Sequence, residues 1–236
     1  MSHAIDYQIY GDDLQVIEIL LDPEEGVQAE IGSMMYMEEG IKMNTRVEGG
    51  IFSGLKRLVT GEDFFVSTFE NKGRSQAKVA FAAPYPGKIV ALNLQDLGGA
   101  LLCQKDSFLC AARGIHVDIA FTKRLGSGFF GGEGFVLQKL EGEGLAFIHA
   151  GGTIIQKELG RKEELRVDTG CVVGFTPNVD YKIKFVGGFR NALFGREGVY
   201  LTELEGPGTV YLQSLPFSRL VDRIFATQIL PGQTNE

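Results

Sequence analysis

One short phrase occurs three times along this chain, and a chain that repeats itself folds as copies of one supersecondary unit. Gly61-Glu62-Asp63-Phe64-Phe65-Val66 returns as Gly132-Glu133-Gly134-Phe135-Val136-Leu137 and, less cleanly, as Arg196-Glu197-Gly198-Val199-Tyr200-Leu201. The second and third copies run on without a gap, EGFVLQKLEGEG from Glu133 against EGVYLTELEGPG from Glu197. A second signature lies upstream: Val27-Gln28-Ala29-Glu30-Ile31-Gly32 matches Leu165-Arg166-Val167-Asp168-Thr169-Gly170, with Leu101 to Ser107 as a looser middle copy. A third follows the glycine turn, as Val79-Ala80-Phe81, Leu145-Ala146-Phe147 and Val210-Tyr211-Leu212, the last displaced by one. Chance supplies one Gly-Glu match, not three signatures in the same order three times. The reading is one compact domain over 1–236. It has three repeats, about 6–83, 88–150 and 153–214, and a C-terminal helix and tail over 215–236.

The repeats read as strands. Apolar residues fall on both faces of Phe135–Leu140 and Val199–Leu204, which suits a sandwich or barrel wall better than a sheet open to water. Each repeat holds about six strand-length runs at roughly 8–12-residue spacing. Glu141-Gly142-Glu143-Gly144 and Glu205-Gly206-Pro207-Gly208 are expected to be hairpin turns, since glycine reaches positive φ without strain. Helix is expected only over Arg219–Ile229, with Ser218 as N-cap, Leu220, Val221, Ile224 and Phe225 on one face, and Pro231-Gly232 as the stop.

Composition narrows the partners. The 30 acidic against 23 basic residues give a net charge of −7, so nucleic acid is not an expected partner. Three cysteines without paired spacing, Cys103, Cys110 and Cys171, argue against a disulfide framework and for a reducing, cytoplasmic location. No secretory signal and no run of 18 apolar residues is visible in the sequence.

Gly32-Ser33-Met34-Met35-Tyr36-Met37, Gly49-Gly50-Ile51-Phe52-Ser53-Gly54-Leu55-Lys56-Arg57, Gly61 to Phe65 and Gly208 to Ser214 resemble the altered-inheritance-of-mitochondria (mitochondrial biogenesis) family. Its bacterial members are mostly uncharacterised. The resemblance covers about residues 6–215. It implies an all-β fold of three tandem β-sandwich units, similar to the trp RNA-binding attenuation protein and within the double-stranded β-helix class. It further implies that the units pack about a pseudo-threefold axis. It supplies no enzymatic activity and no ligand. The fungal member's role in inner-membrane organisation transfers weakly to a chain without a visible transit peptide.

The repeated Glu62, Glu133 and Glu197 are the first site candidates. Brought together on a threefold axis, three carboxylates could hold a hard cation such as Ca²⁺ or Mg²⁺. Alternatively each accepts backbone N–H bonds in its own turn, the reading that a carboxylate beside glycine favours. Glu30 and Asp168 are open to the same two readings. Apolar segments precede each glutamate, carrying Phe52 and Leu55, then Phe129 and Phe130, then Phe194. They either form an exposed contact patch or fold back onto the core. His3, His116 and His149 lack zinc or cupin spacing. Cys103 and Cys110, an odd number of residues apart, are expected as buried thiols on opposite faces of one continuous strand. No nucleophile motif or phosphate loop is present, so no catalytic residue, metal or cofactor is expected.

The function expected is a non-enzymatic binding or scaffold protein that self-associates and contacts a protein or membrane surface. The alternatives are an RNA- or small-ligand-binding ring by fold analogy and an enzyme with carboxylates between units. A homo-oligomer is expected, a trimer by the threefold character of the unit. Phe52, Leu55, Leu58 and Val59 in one segment, and the helix face in another, are too apolar to leave in water.

Overall fold

The computed structural model describes residues 4–47, 65–123, 135–186 and 199–228. Period-two alternation builds the first strands. In β2 (Val16–Leu21) Ile17, Ile19 and Leu21 are buried, and their neighbours in the strand are half-buried, because successive side chains leave a strand on opposite faces. β1 (Asp6–Tyr10) pairs beside it. Next come β3 (Gly26–Glu30), β4 (Met34–Met37), β5 (Ile41–Val47), β6 (Phe65–Asn71) and β7 (Ala77–Ala82). The middle of the chain forms β8 (Gly87–Asn93), β9 (Ala100–Gln104), β10 (Phe108–Ala112), β11 (His116–Lys123), β12 (Phe135–Glu141) and β13 (Leu145–Gly151). The last strands are β14 (Ile154–Leu159), β15 (Glu164–Asp168), β16 (Val172–Phe175), β17 (Asp180–Val186), β18 (Val199–Glu205) and β19 (Gly208–Gln213), before helix α1 (Phe217–Gln228). Among the described residues the fold is all-β with one short C-terminal α-helix. Among the described residues no helix is long and apolar enough to cross a membrane.

One pairing scheme occurs in each third of the chain. β2 and β4 flank β7 while β3 and β5 flank β6. β8 and β10 flank β13 while β9 and β11 flank β12. β14 and β16 flank β19 while β15 and β17 flank β18. Two further ladders, β3 with β10 and β9 with β16, join one third to the next. Among the described residues four antiparallel sheets result: β1-β2-β7-β4, β5-β6-β3-β10-β13-β8, β11-β12-β9-β16-β19-β14 and β15-β18-β17. β10 is buried along its whole length and β13 nearly so, which explains the continuous apolar runs. Phe69, Phe81, Phe108 and Phe147 anchor a large core, and Phe135, Val172, Phe175 and Leu204 a smaller one.

Several expectations change. The glycine turns after β12 and β18 are not hairpins: β12 and β13 belong to different sheets, as do β18 and β19. Gly142 and Gly144 do adopt positive φ, 141° and 122°, but the turn carries the chain across to another sheet. The strands that pair antiparallel with their neighbour in sequence are β1–β2, β5–β6, β11–β12 and β17–β18. The third signature is also out of register. Bulges at Met34/Tyr36, Phe108/Cys110 and Val172/Gly174 align Val79 with Ala146 and Val210, so the middle copy is the displaced one. Cys103 and Cys110 are buried, but they sit on two strands separated by a 3-10 turn, Lys105–Ser107. Helix α1 begins at Phe217, with the Pro216 carbonyl accepting from Arg219 N–H, so Ser218 lies inside the helix and is not its cap. Glu62, Glu133, Glu197, Phe52, Leu55, Phe129, Phe130 and Phe194 lie outside the described residues.

Candidate functional site

Glu30 ends β3, whose Gly26–Ala29 stretch is buried. A turn fixes it there: Ser33 donates to the Glu30 carbonyl from both its N–H, at 3.3 Å, and its Oγ, at 2.7 Å. The ladders β3–β10 and β9–β16 place Ala29 opposite Cys110 and Cys103 opposite Gly174. Glu30 therefore holds the position in its ladder that Gln104 holds in the next. Gln104 uses its amide to donate to the Thr169 carbonyl at 2.9 Å. An ionised carboxylate cannot donate; a protonated one can.

A cavity of about 540 Å³ opens beside Glu30. Asp106, from the 3-10 turn between β9 and β10, and Phe108 form one wall. Tyr85, from the connection between β7 and β8, forms another, and its hydroxyl donates to the Asp106 carbonyl at 3.3 Å. Phe217, Ser218, Val221 and Asp222 of α1 close the cavity over one helical face, since residues four apart lie on the same side. The Tyr85 ring contacts Phe217 with centroids 5.2 Å apart and meets His149 edge-on at 4.6 Å. Arg219 Nη2 anchors the helix to Asp168 Oδ2 at 2.8 Å. Asp168 Oδ1 also accepts from Gly170 N–H, so Asp168 serves its own turn and the helix.

His149 of β13 lines the cavity and is 2% exposed. Its Nδ1 has no hydrogen-bond partner, whereas buried polar atoms normally have one. Burial lowers its pKa to about 4, against a backbone hydrogen bond with Tyr85 that favours the charged ring. The imidazole is neutral at pH 7. Glycine is required at Gly87, opposite Gly151 in the ladder. A Cβ there would lie 2.1 Å from the Ala150 carbonyl oxygen and 2.5 Å from His149 Nε2.

Loss of water pushes the Glu30 carboxyl up to about 8; the Asp106 carboxylate adds to this and Lys105 opposes it. Glu30 is thus mostly protonated at neutral pH. Tyr85 is also raised, first by burial and then by Asp106 and Glu30. A proton-bearing carboxyl can donate a hydrogen bond to a guest through its O–H and accept one at its other oxygen. Among the described residues, no group of three or more His, Cys, Asp and Glu side chains could hold a metal ion.

Of the residues singled out in the sequence, Glu30, His149 and Val221 enter this site, while Asp168 stands at the foot of α1. Tyr85, Asp106, His149 and Phe217 were not grouped by any spacing, because they come from four distant segments. The one signal that linked two of the site's residues in advance was that Glu30 and Asp106 both lie within copies of one signature.

Comparison with known proteins agrees with this architecture. An uncharacterised protein of Streptococcus pyogenes serotype M6 is 30% identical over 93% of this chain and 88% of its own length. The crystal structure of another Streptococcus pyogenes protein, a structural-genomics target, superposes with a TM-score of 0.75 at 25% identity, covering 94% of this chain and 99% of that one. The profile of the family described as mitochondrial biogenesis AIM24 matches residues 7–215, and the chain belongs to that family.

Proposed function

We propose that this is a non-enzymatic binding protein that takes a small molecule into the cavity beside Glu30 and His149. One observation carries the reading: a cavity of about 540 Å³ is lined by a buried imidazole whose Nδ1 lacks a partner. Ligand pockets commonly occupy roughly 300–1,000 Å³ and combine apolar walls with a few polar groups. The identical pairing schemes support three β-sandwich units about a pseudo-threefold axis, with the cavity where the first two units meet α1. The net charge of −7 disfavours RNA, and the free thiols suit the cytoplasm. Thermal unfolding and saturation-transfer NMR on the full chain, with sets of small amines, alcohols and carboxylic acids, test the proposal. At least one set should bind, and Val221→Trp, which fills the cavity, should abolish it. Binding by no set, or binding undiminished in the variant, would refute the reading.

Self-association, with a trimer as the expected form, is a second proposal. It is supported by Phe225 on α1, 58% exposed, and Met35 at β4, 61% exposed, large apolar groups whose burial is favourable. The segments holding Phe52, Leu55, Phe129, Phe130 and Phe194 are proposed as further contacts to a protein or membrane partner, and Glu62, Glu133 and Glu197 as a cation set. Light scattering that gives the mass of one chain, 25.8 kDa, would refute the oligomer.

A further inference from the structure

Two ladders, β3–β10 and β9–β16, join the thirds of this chain. The same scheme implies a third, between β15 and β4, the remaining copies of those two strands. Among the described residues that ladder is absent: β4 ends one sheet and β15 ends another. Burial follows the pairing. β10 and β16 are buried throughout, and β3 and β9 nearly so. In contrast, Met35, Tyr36 and Met37 of β4 are exposed, as are Glu164 and Arg166 of β15. Consecutive residues leave a strand on opposite faces, so β4 lays large apolar groups in water on both faces where its two copies are core. α1 touches both sides of the open junction. Arg219 bonds Asp168, and Phe217 and Val221 share a cavity wall with Ile31 and Ser33. The helix thus stands between the end of β15 and the start of β4.

The two free edges match. The bulges equate Tyr36 and Met37 with Cys110 and Ala111, and with Gly174 and Phe175. The upstream signature equates Arg166 and Val167 with Gln28 and Ala29, and with Leu102 and Cys103. The existing pairs are Cys110–Ala29, Ala111–Gln28, Gly174–Cys103 and Phe175–Leu102. Their register sets Tyr36 opposite Val167 and Met37 opposite Arg166. Backbone directions agree with it. Glu38 N–H donates to the Lys78 carbonyl, and the Glu163 carbonyl accepts from Gly206 N–H, so Glu38 and Glu163 face their own sheets. Successive residues of an antiparallel strand alternate in the side to which they bond. Met37 and Arg166 therefore both point their N–H and C=O outward, as a hydrogen-bonded pair requires. An edge with unpaired groups is a template for another chain. Resting on the self-association reading, we infer that β4 of one copy pairs with β15 of a second copy and so forms the third ladder. Two different patches meet in this contact. It runs head to tail and can close a trimeric ring, whereas a patch paired with itself stops at a dimer.

The test starts with light scattering on the full chain, which should give a multiple of 25.8 kDa. Met37→Pro removes an outward N–H and should weaken association at least about 10-fold. Proline is tolerated on an edge strand, and a urea midpoint near that of wild type checks the fold. Disulfide trapping locates the contact without that variant. Met37→Cys and Arg166→Cys are placed in separate chains, each also carrying Cys171→Ser, and mixed under mild oxidation. Opposed residues of a hydrogen-bonded pair lie about 5.5 Å apart at Cα, within disulfide reach. The mixture should give a cross-linked dimer, and neither chain alone should. The mass of one chain for wild type would overturn both the self-association reading and this contact. An oligomer that gives no mixed cross-link, or that Met37→Pro leaves as tight as wild type, would overturn the β4–β15 contact and leave self-association standing. A cross-link formed by the Met37→Cys chain alone would do the same, since it places β4 against β4. So would a chain carrying both substitutions that bonds only within itself, since β4 would then close on its own β15.

Discussion

Replacing Glu30 by glutamine should remove a pH dependence from the protein's stability. The folded carboxyl titrates near 8, against 4.5 when unperturbed. Between those values the folded chain holds a proton that the unfolded chain releases, so stability falls as pH rises through the window. At about 1.36 kcal/mol per pH unit the ceiling is about 5 kcal/mol. The side chain is only half-buried, and solvent screening lowers this to about 2 kcal/mol. Urea unfolding from pH 4 to 9 measures it. Wild type and variant should lie closest near pH 4.5, and the variant should gain on wild type up to pH 8.5. For a chain of this size ~2 kcal/mol corresponds to roughly 4–8 °C in Tm. Taking the difference between the two proteins cancels every other titrating group that the substitution leaves alone. Parallel curves across the window would show that Glu30 is well solvated and that the account of the cavity is wrong.

His149 carries the opposite slope. Its pKa is lowered to about 4 from 6.5, so its contribution is complete above 6.5 and is lost as pH falls through 4; His149→Phe should flatten the acid limb of the same urea series. Gly87→Ala should cost roughly 3–4 kcal/mol, since the new methyl meets the Ala150 carbonyl and the His149 ring; a urea midpoint unchanged from wild type would contradict the packing. Asn71→Ala should cost on the order of 2–3 kcal/mol, because its buried amide donates to the Leu21 and Ser75 carbonyls and its oxygen accepts from Gly73 N–H. Burial raises the Cys103 and Cys110 thiols and, less completely, Cys171, so a thiol reagent should label Cys171 first in the native protein and all three only after unfolding.

The strand content was legible because glycine punctuation and two-faced apolar runs survive in the linear sequence. Which sheet a strand joins was not. The turns at Gly142–Gly144 and Gly206–Gly208 have the chemistry of hairpins, but local φ does not say whether the chain folds back on its neighbour or crosses to another layer. The one-residue slip in the middle signature had a similar cause: a bulge at Phe108/Cys110 shifts register without marking the sequence. The candidate site was half legible. Glu30 lay in a repeated signature, yet its properties come from Tyr85, Asp106 and His149, which long-range pairing brings to it. The start of α1 was misplaced because Ser218 has cap chemistry, while the Pro216 carbonyl takes the first helical bonds.

The ladders β3–β10 and β9–β16 put sequence similarity and hydrogen bonding out of phase. Each six-stranded sheet takes three strands from one third of the chain and three from the next. A cut at a repeat boundary therefore does not release an intact sheet; it halves one and bares a new edge on both fragments. Edges of that kind are aggregation-prone. The thirds of this chain thus gain their edge protection from one another, so they should melt in a single transition and not be separable as soluble fragments, despite the similarity of their sequences.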